Sequence, residues 1–161
     1  MGDQEGLHEL FRSEYPGLVR LAFLLCGNSD SAEEVTQEAF VRAAERWRRI
    51  SGYDRPGAWL RLVVVRLAVR RRRRAGTETD LERLPERGAM DPPPPDPELY
   101  DALRELTETQ RRCIVLHHLE DLPVTEVAEL LAMPEGTVRS HLHRGRQAMS
   151  TRLDTQTVVP R

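Results

Sequence analysis

The heptapeptide Asp91-Pro92-Pro93-Pro94-Pro95-Asp96-Pro97 restricts what this chain can fold into more than any other stretch. Proline lacks a backbone N–H and fixes φ, so such a run can be neither helix interior nor central strand. Around it, from Ala75 to about Pro97, the apolar pattern lapses and Gly, Thr, Glu and Asp dominate. The segment reads as a tether between two folding units, within the one or two domains that 161 residues allow. The expected division is 1–75 for the first unit, 76–97 for an acidic, Pro-rich linker, 98–153 for the second unit and 154–161 for a frayed tail.

Both flanking units read as helical. Leu7, Leu10, Phe11, Tyr15, Leu18, Leu21, Ala22 and Leu25 recur at helical spacing, and Gly27-Asn28 stops the run. Asp30, with Glu33 three residues on, is expected to cap a second helix that carries Val35, Ala39, Phe40, Ala43 and Trp47 inward. Ser51-Gly52-Tyr53-Asp54 reads as a loop, and Pro56 suits the first turn of a third helix. Trp59, Leu60, Val63, Leu67 and Val64 are its expected buried side. The Val63-Val64-Val65 run resembles a strand, but its spacing from Trp59 and its Arg-rich continuation favour helix.

Beyond the tether, Leu99, Leu103 and Leu106 open a second helical block. Thr107-Glu108-Thr109-Gln110 has the form of a capping box, leading a helix with Cys113, Ile114, Leu116 and Leu119. With 5% aromatic and 31% charged residues, the composition suits small helical domains better than a β-sandwich. The expected class is all-α: two small helical domains on a flexible linker.

A formal net charge of −2 would argue against a nucleic-acid partner if it were evenly spread. It is segregated instead. Arg70-Arg71-Arg72-Arg73-Arg74 is a basic block, whereas Glu78 to Glu108 is mostly acidic. All 24 basic side chains are Arg; a GC-rich genome accounts for that, although Arg also matches phosphates and guanine edges better than Lys. Cys26 and Cys113 are solitary, which excludes a disulfide framework or a zinc ribbon. No signal peptide is expected, and the apolar run Leu18 to Cys26 is too short to span a bilayer. The expected location is the cytoplasm, with no membrane partner.

Val124 to Arg146 reads as two short amphipathic helices meeting at a tight break around Met133-Pro134. That is the layout of a helix-turn-helix, whose second helix enters the DNA major groove N-terminus first. Thr137, Arg139, Ser140, His141, His143 and Arg144 are the candidate contacts, with Arg139 and Ser140 placed for base edges and His143 and Arg144 spanning base and backbone. Val127, Ala128, Leu131, Val138 and Leu142 are the candidate core that sets the inter-helix angle. The bland alternative is a helix pair with a solvated basic face.

Upstream, the Arg70–Arg74 run by itself reads equally well as a solvated helix end. It gains meaning from Arg61 and Arg66 on the same helix and from Tyr53 in the preceding loop, because aromatic and cationic groups side by side can hold an unstacked base and its phosphate. Trp59 joins this set, although a Trp at helical spacing among apolar residues is more often core. His117-His118 and His141-x-His143 lack the carboxylates or cysteines of a metal site, and adjacent helical histidines should point to different sides. No nucleophile–base pair, phosphate loop or paired carboxylates stand out, so neither an enzyme nor a bound cofactor is expected.

These segments together resemble the sigma factors of bacterial RNA polymerase. Ser31-Ala-Glu-Glu-Val-Thr-Gln-Glu-Ala-Phe-Val-Arg-Ala43 is similar to their second conserved region, and Arg55-Pro-Gly-Ala-Trp-Leu-Arg-Leu-Val-Val-Val-Arg-Leu-Ala-Val-Arg-Arg-Arg-Arg73 to the promoter-melting segment that follows. Leu103-x-x-Leu-Thr-x-x-Gln-Arg111, Glu126-Val-Ala-Glu-Leu-Leu131 and Glu135-Gly-Thr-Val-Arg-Ser-x-Leu-x-Arg-Gly-Arg146 resemble the fourth region. The short two-domain form looks like the extracytoplasmic-function group, actinobacterial type. The resemblance implies that Glu34, Val35, Gln37, Glu38 and Val41 dock on the clamp coiled coil of the polymerase β′ subunit. It implies that the loop Ser51, Tyr53, Asp54 and Arg55, with Trp59, Arg61, Arg66 and Arg70, handles the −10 element, and that the helix-turn-helix reads the −35 element from a seat on the β-flap. Promoter DNA and core polymerase are the implied partners. With few sensory features of its own, the chain is expected to need a controlling partner such as an anti-sigma factor, which no motif identifies.

Three departures from the family pattern stand out: Arg66 where Asn is usual, the absence of Asp near Arg70, and Pro123 and Pro134 where Ser often caps the two helices of the helix-turn-helix. Two other readings stand beside the sigma factor. One is a one-component regulator using only the helix-turn-helix; the other is a sigma-like decoy that occupies core polymerase without starting transcription.

Overall fold

The computed structural model describes residues 2–75, 84 and 96–157. Every regular element among them is a helix. The contacts divide the chain into two compact units, Met1–Glu82 and Arg83–Arg161. Most of the expected tether, including Pro92 to Pro95, lies outside the described residues.

The first unit is built from α1 (Gly2–Cys26), α2 (Ser29–Glu45), the single turn α3 (Trp47–Ile50) and α4 (Pro56–Ala75). Gly27 ends α1 at φ 71°, the left-handed geometry a side chain disfavours, and its N–H bonds the Phe23 carbonyl at 2.8 Å. The cap of α2 is Asn28 rather than Asp30: extended at φ −146°, it accepts the Ser31 N–H on Oδ1 at 2.9 Å. Asp30 is already inside the first turn, where its charge complements the helix dipole.

Leu18, Leu21 and Leu25 of α1, Val35, Ala39 and Ala43 of α2, and Leu60, Val64, Leu67 and Ala68 of α4 make the core. Ala22, Ala32, Ala39, Ala43 and Ala68 are all 0% exposed, so small side chains set the close approach of the three helices. Each fully buried Leu or Val stabilises by roughly 1.5–3 kcal/mol relative to exposure. Trp59, Val63 and Trp47 are only half-buried, against expectation, while Val65 and Val69 are buried in their place. The inward arc of α4 centres on Leu60, Val64 and Ala68, which leaves Trp59 and Val63 on its margin.

The second unit comprises α5 (Pro97–Arg104), α6 (Glu108–Ile114) running into a π-helical turn at Val115–Leu119, α7 (Val124–Leu131) and α8 (Glu135–Thr157). Asp96 and Pro97 belong to α5 rather than to the tether: the Asp96 carboxylate accepts the Leu99 N–H at 3.0 Å, and Pro97 fills the first turn. The expected capping box is present, with Thr107 Oγ1 accepting the Gln110 N–H and Gln110 Oε1 accepting the Thr107 N–H, both at 3.3 Å. Leu84, which the sequence places in the linker, is 3% exposed and its carbonyl accepts from Arg104 Nε at 3.0 Å. One apolar residue in a polar stretch carries no periodicity, so its burial left no trace in the pattern.

Helix α8 packs on α6 through Gly145, where a Cβ would stand 2.9 Å from Ile114 Cγ1. Further along, Arg152 ties α8 to α5 through Glu105 and through Asp101 at 4.0 Å. The helix therefore continues to Thr157, past the point where a frayed tail was expected.

Candidate nucleic-acid interface

Helix α4 follows a loop whose backbone is pinned to the turn before it. The N–H groups of Ser51, Gly52 and Tyr53 bond the carbonyls of Trp47, Arg49 and Ile50 at 2.8, 3.2 and 3.0 Å, and Ile50 anchors the turn at 1% exposure. Ser51, Asp54 and Arg55 are exposed, and the Tyr53 ring is 36% exposed. An aromatic face is thus offered on a backbone already organised, which lowers the ordering cost of a stacked base.

Trp59, Val63, Arg66 and Arg70 fall at helical spacing on one side of α4, along the margin of its buried arc. The half-buried Trp59 and Val63 give that side an apolar patch, and the exposed Arg66 and Arg70 give it charge. Arg61, two residues on from Trp59, projects from a different side of the helix and is not part of this stripe.

Along α2, Glu34, Gln37, Glu38 and Val41 make an exposed stripe, with Val41 57% exposed. Val35 does not belong to it. At 2% exposure it is a core residue that faces into the bundle rather than outward. Glu34 pairs with Arg71 of α4, and Glu38 pairs with Arg42 at 2.7 Å.

In the second unit, Ala132 turns the chain between α7 and α8 at φ 52°. Neither following helix start has a side-chain cap from its proline. The Pro123 carbonyl accepts from Glu126 and Val127, and the Pro134 carbonyl from Thr137 and Val138. Val127, Ala128, Leu131, Val138 and Leu142 are buried and clamp the two helices together.

The exposed arc of α8 then carries Thr137, Arg139, Ser140, His143 and Arg144. The Arg139 guanidinium lies 3.3 Å from the Glu135 carboxylate, a solvent-facing pair worth about 0–1 kcal/mol and easily exchanged for a stronger acceptor. Ser140 Oγ donates to the Gly136 carbonyl at 3.0 Å, which leaves its lone pairs to accept from a donor outside.

His141 departs from expectation. It lies at the edge of the core beside Val138 and Leu142, and its Nδ1 is buried with no hydrogen-bond partner. Burial, and next the Arg144 guanidinium, hold its pKa below the ordinary histidine value. Gln147, one turn past His143 and two past Ser140, is exposed on the reading arc; its spacing alone would have found it.

The π-helical turn changes the histidine pair as well. His117 and His118 do not diverge: their ring centroids lie 4.8 Å apart. His117 Nδ1 contacts the Leu122 carbonyl at 2.7 Å, and His118 Nε2 lies 3.4 Å from an Arg146 NH group. An extra residue in the turn widens the spacing and swings the two rings to one side. Among the described residues no group of three or more His, Cys, Asp or Glu could hold a metal ion, and no helix is long and apolar enough to cross a membrane.

A duplex-reading helix in one unit, and an aromatic and cationic helix suited to unstacked bases in the other, define a sigma-type transcription initiation factor. Family models agree on both halves: Sigma-70 region 2 matches residues 10–78, and Sigma-70 region 4 matches residues 97–149. The chain is similar to the ECF RNA polymerase sigma factor SigE of Mycolicibacterium smegmatis, at 36% identity over 92% of this chain and 63% of that protein. It is also similar to the RNA polymerase sigma-E factor of Streptomyces coelicolor, at 32% identity over 89% of this chain and 84% of that one. The fold is shared with the sigma factor RpoE of Bartonella quintana, solved in complex with the anti-sigma factor NepR: the TM-score is 0.59 at 20% identity, over 98% of this chain and 99% of that one. The chain belongs to the extracytoplasmic-function sigma factors. It is a non-enzymatic subunit that binds core RNA polymerase, recognises promoters and starts transcription.

Proposed function

We propose that the two helical units divide promoter recognition between a duplex site and a melted site. The observation that carries this reading is the contrast between the exposed sides of α8 and α4. On α8, Arg139 and Ser140 address base edges of the −35 element, while Thr137, His143 and Arg144 hold flanking bases and phosphates. On α4, Trp59, Arg66 and Arg70 line the path of the opened −10 strand, and Tyr53 with Ser51, Asp54 and Arg55 receives an extruded base. Extrusion costs a few kcal/mol, which a loop already pinned to its preceding turn helps to offset. Arg66, in place of the usual Asn, adds a cation that favours phosphate or a guanine edge.

The α2 stripe of Glu34, Gln37, Glu38 and Val41 docks on the β′ clamp coiled coil, and the second unit sits on the β-flap. The first unit ends near residue 75 and the second opens at Asp96, with the acidic, Pro-rich stretch joining them. The protein acts in the cytoplasm, under the control of an anti-sigma partner.

Run-off transcription with purified core polymerase tests the reading. A promoter-specific transcript that appears only when the chain is added, and that loses −35 dependence in Arg139→Ala while core affinity is unchanged, is the expected result. Tight duplex binding at a palindromic site without polymerase would replace it with the regulator reading; core binding with no transcript from any promoter would replace it with the decoy.

A further inference from the structure

The C-terminal end of α4 and the flank of α2 enclose a cavity of about 530 Å³ that the promoter-reading faces do not explain. Its floor is apolar: Cys26, Val35 and Leu67 are 4, 2 and 7% exposed. Its walls carry Arg70, Arg71, Arg72 and Arg74 from α4 and Arg42 from α2, against the single carboxylate of Glu38. Arg71 is held by Ser31 Oγ at 3.3 Å and by Glu34, and Arg42 by Glu38 at 2.7 Å. Arg70 and Arg74 have no anionic partner among the described residues. Glu34 and Glu38 offset only part of the positive charge gathered around this concave surface, and phosphate is the anion that the planar guanidinium fork matches best.

We infer that this cavity binds a phosphorylated nucleoside as a free small molecule. The volume lies in the range of small-molecule sites. The apolar floor suits a flat base. The Arg70, Arg71 and Arg74 end suits clustered phosphates, and Glu38, about 10 Å along α2 from Ser31 at 1.5 Å per residue, suits the hydroxyl donors of a ribose. A continuous nucleic-acid strand fits less well. To pass through, its phosphates would have to run along the α2 wall past the Glu38 carboxylate, whereas a nucleotide sets only ribose hydroxyls there. Because Arg70 also belongs to the face assigned to the −10 strand, an occupied cavity draws one cation away from promoter DNA. Binding of the nucleotide itself does not depend on the sigma-factor reading.

Titration calorimetry on the full chain, with ADP, GDP, inorganic pyrophosphate, adenosine and a single-stranded oligonucleotide as probes, tests the site. At least one nucleoside diphosphate should bind saturably at one site per chain, more tightly than pyrophosphate and much more tightly than adenosine. Arg74→Glu should weaken it on the order of tenfold or more, as expected for loss of a charge-assisted phosphate contact and its replacement by a like charge. Arg42→Ala, which removes a second wall, should weaken it in the same direction, while Arg12→Ala on α1 should leave it unchanged. Circular dichroism and thermal midpoints identical to wild type would show that each variant folds. The inference is overturned if no diphosphate binds saturably at millimolar concentration, or if Arg74→Glu binds as wild type does. It is equally overturned if the oligonucleotide displaces the nucleotide with higher affinity per phosphate, since the groove would then be a strand track.

Discussion

Helices α4 and α8 are both long, both Arg-rich, and both project cations away from a small core, yet they suit different forms of nucleic acid. On α4 the margin of the buried arc is aromatic and aliphatic, so Arg66 and Arg70 stand next to Trp59 and Val63. On α8 the buried arc is narrow, limited near the turn to Val138, Leu142 and Gly145, and the exposed neighbours of its arginines are hydroxyl and imidazole groups. A cation beside an apolar ring favours a base pulled out of its stack; a cation beside hydrogen-bonding groups favours base edges in a groove. What surrounds the arginines, more than their number, separates the two roles.

The comparison can be broken in several ways, beginning with its largest expected effect. Leu142→Ala should destabilise the second unit by about 2–5 kcal/mol and abolish duplex recognition, while the unfolding of the first unit is unchanged. Differential scanning calorimetry resolving two transitions would show it; a shift in both would mean that the units do not unfold independently. Next in size, Trp59→Ala and Arg139→Ala should each cost about 1–3 kcal/mol of recognition, but on opposite substrates. Fluorescence anisotropy of holoenzyme on fork DNA should fall for the first variant and on −35 duplex for the second, and equal losses on both probes would erase the distinction between the helices.

A smaller effect is expected from Thr107→Ala, which removes one side of the capping box that starts α6. About 1 kcal/mol should be lost from the second unit's stability, read as a lower denaturation midpoint with unchanged slope. The smallest effect concerns pH. His118 and His141 both have pKa values held below the ordinary histidine value of about 6.5, first by burial and then by neighbouring positive groups. The unfolded chain takes up protons before the folded one does. Their contribution is therefore fully present above about pH 6.5 and is lost as pH falls toward the folded values. Between pH 7.5 and 5.5 the second unit's thermal midpoint should drop further in wild type than in the His118→Gln, His141→Gln double variant; parallel curves would remove these histidines from the account.

Much of the fold was legible because it is written in local periodicity. The apolar spacing of α1, the Thr107 capping box, the Pro56 helix start and the Val127–Leu142 helix-turn-helix core all depend on residues within a few turns of each other. Positions governed by distant neighbours were not legible. Val35 reads as a docking residue by motif, but it is buried in a bundle where α1 and α4 both pack on α2. His141 reads as a DNA contact from its place on the recognition helix, while its Nδ1 is buried at the edge of the core. The Trp59 side chain reads as core, but α1 and α2 cover the arc next to it. Leu84 reads as linker, yet Arg104 receives its carbonyl.

By itself, then, the amino-acid sequence determined the helices, their grouping into two units and the family to which the chain belongs. These follow from backbone chemistry and from the period at which apolar residues recur. Only the tertiary structure decided which side of each helix faces solvent, brought the His117 and His118 rings together and raised Arg42 beside Arg70 and Arg74 around one cavity. Those outcomes depend on where a second helix packs, and packing is a property of residues far apart in the chain.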